Sequence, residues 1–355
     1  MAVEMEIVCH DEPRAEHLVN IRAQVHAMGM RKSTYGRSPA MLAWLRENVT
    51  RFDGVVVNGI WTYSSLAVCK TAHGRTPYAI FTHGMLDPWF RKRYPLKHLK
   101  KYLYWPVQHR VLHQADAVLF TTQLECDLAK KSFWPHSWNS VVVPYGTSPP
   151  PGTQADLEAQ RQAFEQALPQ LHGRRFLLFL SRIHEKKGCD LLIKAFARIA
   201  PAYPDVDLVV AGPDQVGLQA RLQQQAEHLG ITARVHWPGM LRGATKWGTM
   251  RSAETFILPS HQENFGIVVA EALACGKPVL ISNQVNVWPD IERDRVGFVA
   301  ADTLQGTESL LRSWLSLGTA EQEAMANRTV KTFEGRFSMR NAAARILQLF
   351  DSKRQ

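Results

Sequence analysis

No apolar run in this chain approaches the ~20 residues that a membrane span requires, and the opening "MAVEMEIVCHDEP" lacks the basic-then-apolar order of a secretory leader. Cysteine is scarce: the five, Cys9, Cys69, Cys126, Cys189 and Cys275, are scattered, odd in number and never spaced C-x-x-C. That pattern argues against a disulfide framework or a zinc site and predicts a reducing, cytoplasmic setting. The patterns G-x-x-x-x-G-K-[ST], G-x-S-x-G, H-E-x-x-H and G-x-G-x-x-G are all missing. A P-loop kinase, a serine hydrolase, a zincin and a standard NAD enzyme therefore lose support. There is no internal repeat or heptad series.

Acidic residues are absent from 91–110, "RKRYPLKHLKKYLYWPVQHR", where Arg91, Lys92, Arg93, Lys97, Lys100, Lys101 and Arg110 alternate with Tyr94, Tyr102, Tyr104 and Trp105. Two readings stay open: a solvated helix with aromatics facing a core, or a surface for an anionic membrane or another polyanion. The net charge of +10 leaves room for an anionic partner; nucleic acid is not expected.

What is present is α/β alternation. A chain of 355 residues with 45% hydrophobic content can build two cores. The runs "MEIVCH", "GVVVNGI", "PYAIFTHG", "AVLFTT" and "SVVVPYG", then "RFLLFLS", "VDLVVAG", "ARVHWPG", "TFILPS" and "KPVLIS", read as strands separated by helix-compatible stretches. Two Rossmann-like domains with parallel sheets facing a cleft follow. We expect the first over 1–150, a linker over 151–172 after the stiff "SPPPG", the second over 173–335, and a C-terminal helix over 336–355 that ends the second domain or crosses back. Ligands gather beyond the carboxyl ends of parallel strands, so the turns there hold the candidates.

The stretch "QENFGIVVAEALACGKPVL" sets Glu263 and Glu271 around an apolar run, where a carboxylate needs a hydrogen-bonding partner. We expect that partner to be the substrate. A helix from Phe265 to Gly276 is expected, and eight helical positions correspond to ~12 Å of rise, so the two carboxylates would hold different parts of one long ligand. Amides at Phe265, Gly266 and Ile267 suit a phosphate between them, and Arg182, Lys186 and Lys187 before the next helix suit a diphosphate. His83, at a strand end before a glycine, with Asp87, Trp89 and Trp61, would line a mouth; buried aromatics explain the tryptophans as well. The "DVD" at 205–207 precedes its strand and is rejected as a metal site.

Together these turns resemble a family 4 glycosyltransferase of the GT-B fold, over nearly the whole sequence. "SRIHEKKGCDLL" resembles the R-x(4)-K-G donor loop, "LPSHQENFGIVVAEALACGKPVL" the E-x(7)-E segment, and "FTHGMLDPW" the histidine turn of a bacterial polysaccharide-type subgroup. The resemblance implies retaining transfer of a sugar from a nucleotide diphosphate donor, UDP or GDP type, without metal or cofactor. It assigns Arg182 and Lys187 to the diphosphate, Glu271 to the ribose, Glu263 with the amides of Asn264 to Ile267 to the donor sugar, and Gly239 and Met240 to the base. His83 would contact the sugar from the other domain, making His83, Glu263, Arg182 and Lys187 the catalytic set. Trp61, Asp87 and Trp89 would serve the acceptor, a glycan or lipid-linked glycan in bacterial surface polysaccharide synthesis, on the inner face of the membrane. A nucleotide-sugar-binding protein without turnover and a GT-B epimerase are the alternatives. Ahead of "MEIVCHDEP" the family's usual opening strand and glycine-rich turn are expected to be missing, through an N-terminally shortened chain or an element supplied by a partner.

Overall fold

The computed structural model describes residues 3–29 and 35–351; of the basic segment, the side chain of Lys92 lies outside the described residues. Six strands come first: β1 (Glu6–Cys9), β2 (Gln24–Ala27), β3 (Val55–Asn58), β4 (Tyr78–Phe81), β5 (Ala117–Phe120) and β6 (Ser140–Val142). Six more follow: β7 (Arg175–Leu180), β8 (Val206–Ala211), β9 (Val235–Gly239), β10 (Thr255–Leu258), β11 (Val279–Ser282) and β12 (Gly297–Ala300). Ten of these twelve coincide with the expected runs. β2 and β12 do not, because "QVHA" and "GFVA" are four-residue, partly exposed segments without an apolar signal of their own.

The chain divides into two units, Met1–Val143 with Arg345–Gln355, and Pro144–Ala344. In the first, β3-β4-β5-β6 form a parallel sheet and β1 pairs in parallel with β2. All four residues of β4 and of β5 are buried, as strands covered on both faces must be. The part of the helix Met339–Asp351 from Arg345 onward completes this unit: Ile346, Leu349 and Phe350 pack on Ala79, Phe81, Ala117, Leu119 and Val143. Phe350 lies so close over Gly54 that a Cβ there would collide with its ring.

In the second unit the parallel order is β12-β11-β10-β7-β8-β9. The chain runs outward from β7 through β8 to β9, then returns to the other side of β7 with β10. The helices that follow β7 and β10 therefore lie on opposite faces of the sheet, and the turns leading to them mark the switch point between the two strands.

The expected linker at 151–172 is instead part of this unit. Thr153 and Asp156 form a capping box that starts the helix Gln154–Ala167. Phe164 then stacks on Phe176 of β7 at 5.7 Å. The helix also packs tightly on the helix Gly243–Ser252, where a Cβ at Gly248 would run into the Gln160 carbonyl. The prolines before it lie outside any helix or strand, and the boundary between units falls at Val143 and Pro144.

Candidate active site

At the switch point, the turn after β7 is shaped by His184, whose Nδ1 accepts the Lys186 amide at 3.1 Å. Gly188 closes it with φ of 66°, pressed so near the Pro259 carbonyl that no side chain fits. The turn after β10 is tied to it by the His261 amide, which donates to the Lys186 carbonyl at 2.8 Å. A third turn, after β11, joins through Glu263: its amide donates to the Gln284 carbonyl at 2.9 Å, and its carbonyl accepts from the Asn286 amide at 3.0 Å. The Glu263 carboxylate is hydrogen-bonded to the buried Lys187 ammonium.

Beyond Gly266, itself left-handed at φ 75°, runs the helix Ile267–Ala274. Glu271 is buried on it, with Oε1 accepting from Lys246 Nζ at 2.7 Å and Oε2 buried with no hydrogen-bond partner among the described residues. Each carboxylate thus has a lysine as its partner within the protein, which corrects the expectation that the substrate alone satisfies them. The helical rise between them is corrected too: Glu263 lies ahead of the helix, bridged to Val285, and eight positions do not translate into helical geometry.

Lys246 was not singled out from the sequence. It stands in the first turn of the helix that follows β9, with its ammonium 4.3 Å from the centre of the Trp247 ring. A cation just beyond a strand's carboxyl end was the available signal, but no motif spacing marks it. Gly239 ends β9 in a left-handed conformation and accepts the Gly212 amide at 2.7 Å; Met240 beside it is exposed. Arg182 is exposed and reaches Gln215 at 3.4 Å. Asn264 and Phe265 lie in the turn before Gly266, so the expected residues of the second unit lie at or beyond the carboxyl ends of β7, β9 and β10, with Glu271 on the helix after β10.

Asp207 lies at the opposite, amino end of its strand. It binds Arg174 at 2.6 Å and His236 at 2.9 Å, a structural role in keeping with its rejection as a metal ligand. Among the described residues no group of three or more His, Cys, Asp or Glu is arranged to hold a metal ion.

In the first unit, His83 follows β4 with φ of 49° and Gly84 with φ of 72°. Its ring stacks on Phe81 at 5.3 Å, and Nε2 hydrogen-bonds Asn58 Oδ1 at 3.1 Å. Burial lowers its pKa below the ordinary imidazole value, with the nearby Glu125 charge opposing. Glu125, which sequence reading missed, is buried under this turn. It accepts from the Gly84 amide (2.6 Å), Thr82 Oγ1 (2.7 Å), and the Thr121 amide and hydroxyl (both 2.7 Å).

Asp87 Oδ1 accepts the Trp89 amide at 2.7 Å, and Trp89 contacts Phe90 and Tyr94 edge-on. Trp61 is packed against Phe133 and Trp105, with Lys101 Nζ 4.7 Å from its ring centre. That favours the buried-aromatic explanation over sugar stacking for Trp61. His83, Asp87 and Trp89 share the turn after β4, and Trp61 the turn after its neighbour β3.

Solved structures carry the same architecture. HepE of Anabaena, in complex with UDP and glucose, is similar with a TM-score of 0.72 and 19% identity, over 93% of this chain and 86% of that one. Sucrose-phosphate synthase of Thermosynechococcus elongatus follows with 0.68 and 18%, over 88% and 77%. The fold is GT-B, two parallel α/β units of the Rossmann kind. A family model described as "Glycosyl transferases group 1" matches residues 160–331, and one described as "Glycosyl transferase 4-like domain" matches residues 1–146. The chain belongs to the family 4 glycosyltransferases. A relative from Actinosynnema mirum, a D-inositol 3-phosphate glycosyltransferase, is 28% identical over 255 residues, 70% of this chain and 60% of its own length. The chain spans 52 to 60% of the length of three such relatives.

Proposed function

We propose that the protein is a retaining glycosyltransferase that moves a sugar from a UDP- or GDP-type donor to a glycan or lipid-linked acceptor in bacterial surface polysaccharide synthesis. The observation that carries this reading is a pair of Lys–Glu contacts in the second unit, Lys187–Glu263 across the turns after β7 and β10 and Lys246–Glu271 on the helices that follow β9 and β10, the latter with a buried carboxylate oxygen still open. A diphosphate arriving at Lys187 and Arg182 would draw the ammonium away from Glu263 and free that carboxylate for hydroxyls of the donor sugar. Glu271 Oε2 would accept from a ribose hydroxyl, and the amides of Asn264 to Ile267 at the helix start would share the phosphate charge. Gly239 and Met240 would flank the base.

Transition-state charge would build on the departing diphosphate, where Lys187 and Arg182 would offset it without metal or cofactor. The acceptor hydroxyl would attack the anomeric carbon on the side from which the diphosphate leaves, its proton passing to the departing phosphate oxygen as the sugar–phosphate bond breaks, giving retention. Within the first unit, His83, its pKa lowered by burial, would serve the transferred sugar, and Asp87 and Trp89 the acceptor. HepE, solved with UDP and glucose, supports a donor of that kind. The absence of acid from 91–110 supports an acceptor at an anionic membrane, reached from the cytoplasmic face.

The test is calorimetry with UDP, GDP and their common sugar conjugates, with and without chelator. One nucleotide series should bind, insensitive to chelator. Glu271→Ala should weaken the free nucleotide, whereas Glu263→Ala should spare it and weaken the sugar nucleotide. Equal effects on both ligands would overturn the assignment of the two carboxylates. Donor binding without transfer or hydrolysis would favour a binding protein, and a changed sugar an epimerase.

A further inference from the structure

The helix Pro95–His113 has two apolar faces, and only one is covered. His98, Trp105, Gln108, Val111 and Leu112 are buried. At about 100° per residue the opposite side carries Leu96, Leu99, Leu103 and Val107. These are 76%, 66%, 81% and 47% exposed. A single exposed leucine needs no explanation, but four at this spacing form a continuous stripe about 16 Å long. Lys97, Lys100 and Arg110 are exposed beside it, as is Tyr104. From the loop that packs Phe133 against His98 and Trp105 of this helix, Trp134 projects with 77% of its surface exposed. No aspartate or glutamate occurs between Asp87 and Asp116.

From this geometry we infer that the stripe lies in the interface of an anionic lipid bilayer. Leu96, Leu99, Leu103 and Val107 enter the acyl boundary, Trp134 and Tyr104 sit at headgroup depth, and Lys97, Lys100 and Arg110 meet lipid phosphates. A second copy of the chain is a poorer occupant, since a two-fold contact would set the same cations against one another. The inference rests on the proposed lipid-linked acceptor and deepens it by naming the surface that would bring the site to that acceptor. It also changes the expected behaviour. A purely basic surface releases in salt, whereas an inserted leucine stripe retains part of its binding.

The experiment is co-sedimentation of the full chain with vesicles of phosphatidylcholine, alone or mixed with phosphatidylglycerol, at low and high salt. The unmodified chain should bind the mixed vesicles, weaken with salt and keep a salt-resistant fraction. The double variant L99S/L103S should bind at least about tenfold more weakly at both salt levels, with an unchanged melting temperature. No binding by the unmodified chain, or equal binding by the variant, would overturn the proposal. So would a dimer in solution that L99S/L103S dissociates, which would assign the stripe to a second copy. Nucleotide calorimetry on the same preparations separates the readings: nucleotide binding without vesicle binding sinks this inference alone. Vesicle binding without nucleotide binding sinks the donor site and leaves the surface standing.

Discussion

Replacing Glu125 should separate the support of the histidine turn from the binding of nucleotide. This carboxylate accepts two backbone amides, from Gly84 and Thr121, and two hydroxyls, from Thr82 and Thr121, at 2.6 to 2.7 Å. In Glu125→Ala the hydroxyls can rotate toward other acceptors, but the two amides are fixed by the backbone. At about 1–3 kcal/mol for each buried donor left unmade, the loss is roughly 2–6 kcal/mol. Glu125→Gln keeps the volume and one acceptor oxygen, so about half of that is expected.

Urea unfolding measures the totals, and amide hydrogen exchange at Gly84 and Thr121 localises them. His83 and Gly84 both hold positive φ above this carboxylate. Under the proposed function, the alanine variant should therefore lower the turnover number for sugar transfer while leaving unchanged the nucleotide affinity that we assign to the second unit. If both variants unfold within about 0.5 kcal/mol of the parent, Glu125 does not hold the turn and the reasoning fails.

Lys246→Met removes the sole hydrogen-bonded partner of the Glu271 carboxylate among the described residues. Stability should fall by about 3 kcal/mol, the lower end for a broken buried pair because Lys246 is partly exposed. Nucleotide affinity should fall with it, and Lys246→Arg should restore part of both; calorimetry showing equal affinity for parent and Met variant would refute the pairing. Gly188→Ala forces a Cβ into left-handed backbone and against the Pro259 carbonyl. A loss of roughly 1–3 kcal/mol should follow, and an unchanged melting temperature would mean the turns after β7 and β10 do not approach so closely.

His83, His98 and His109 all have pKa values lowered from the ordinary 6.5, chiefly by burial. Between the unfolded and folded values the unfolded chain binds more protons, so their contribution is present above pH 6.5 and is lost as pH falls through the folded values. Hydrogen exchange in the first unit should show stability dropping from pH 7 toward 5, and a flat or rising profile would contradict the burial of these rings.

The fold was largely legible because parallel strands buried on both faces write themselves as apolar runs, such as "VDLVVA" and "TFIL". The segment 151–172 was misjudged because three prolines outweighed the Thr153 and Asp156 start signal. Its packing partner at Gly248 lies far along the sequence. In the site, turn residues such as Lys187 and Glu263 could be found from strand ends. Their pairing across 76 positions could not, since it depends on the return from β9 to β10 beside β7. Glu125 looked like an ordinary polar residue in the first turn of a helix, and only the backbone above it reveals its four donors. The stripe of Leu96, Leu99, Leu103 and Val107 was hidden because an amphipathic pattern does not say which apolar face finds a core.

The helix that seats Ile346, Leu349 and Phe350 on the first sheet has a consequence for how the protein is made. During synthesis, residues 1–143 leave the ribosome long before Phe350 exists, and the intervening 144–344 must emerge first. Until then the faces of Ala79, Phe81, Ala117 and Leu119 stay open to solvent or to other nascent chains. The second unit is continuous in sequence and can complete itself without that delay. The nascent chain should therefore acquire its two units in the reverse of their order of synthesis, with the earlier one waiting on a helical segment made after the second.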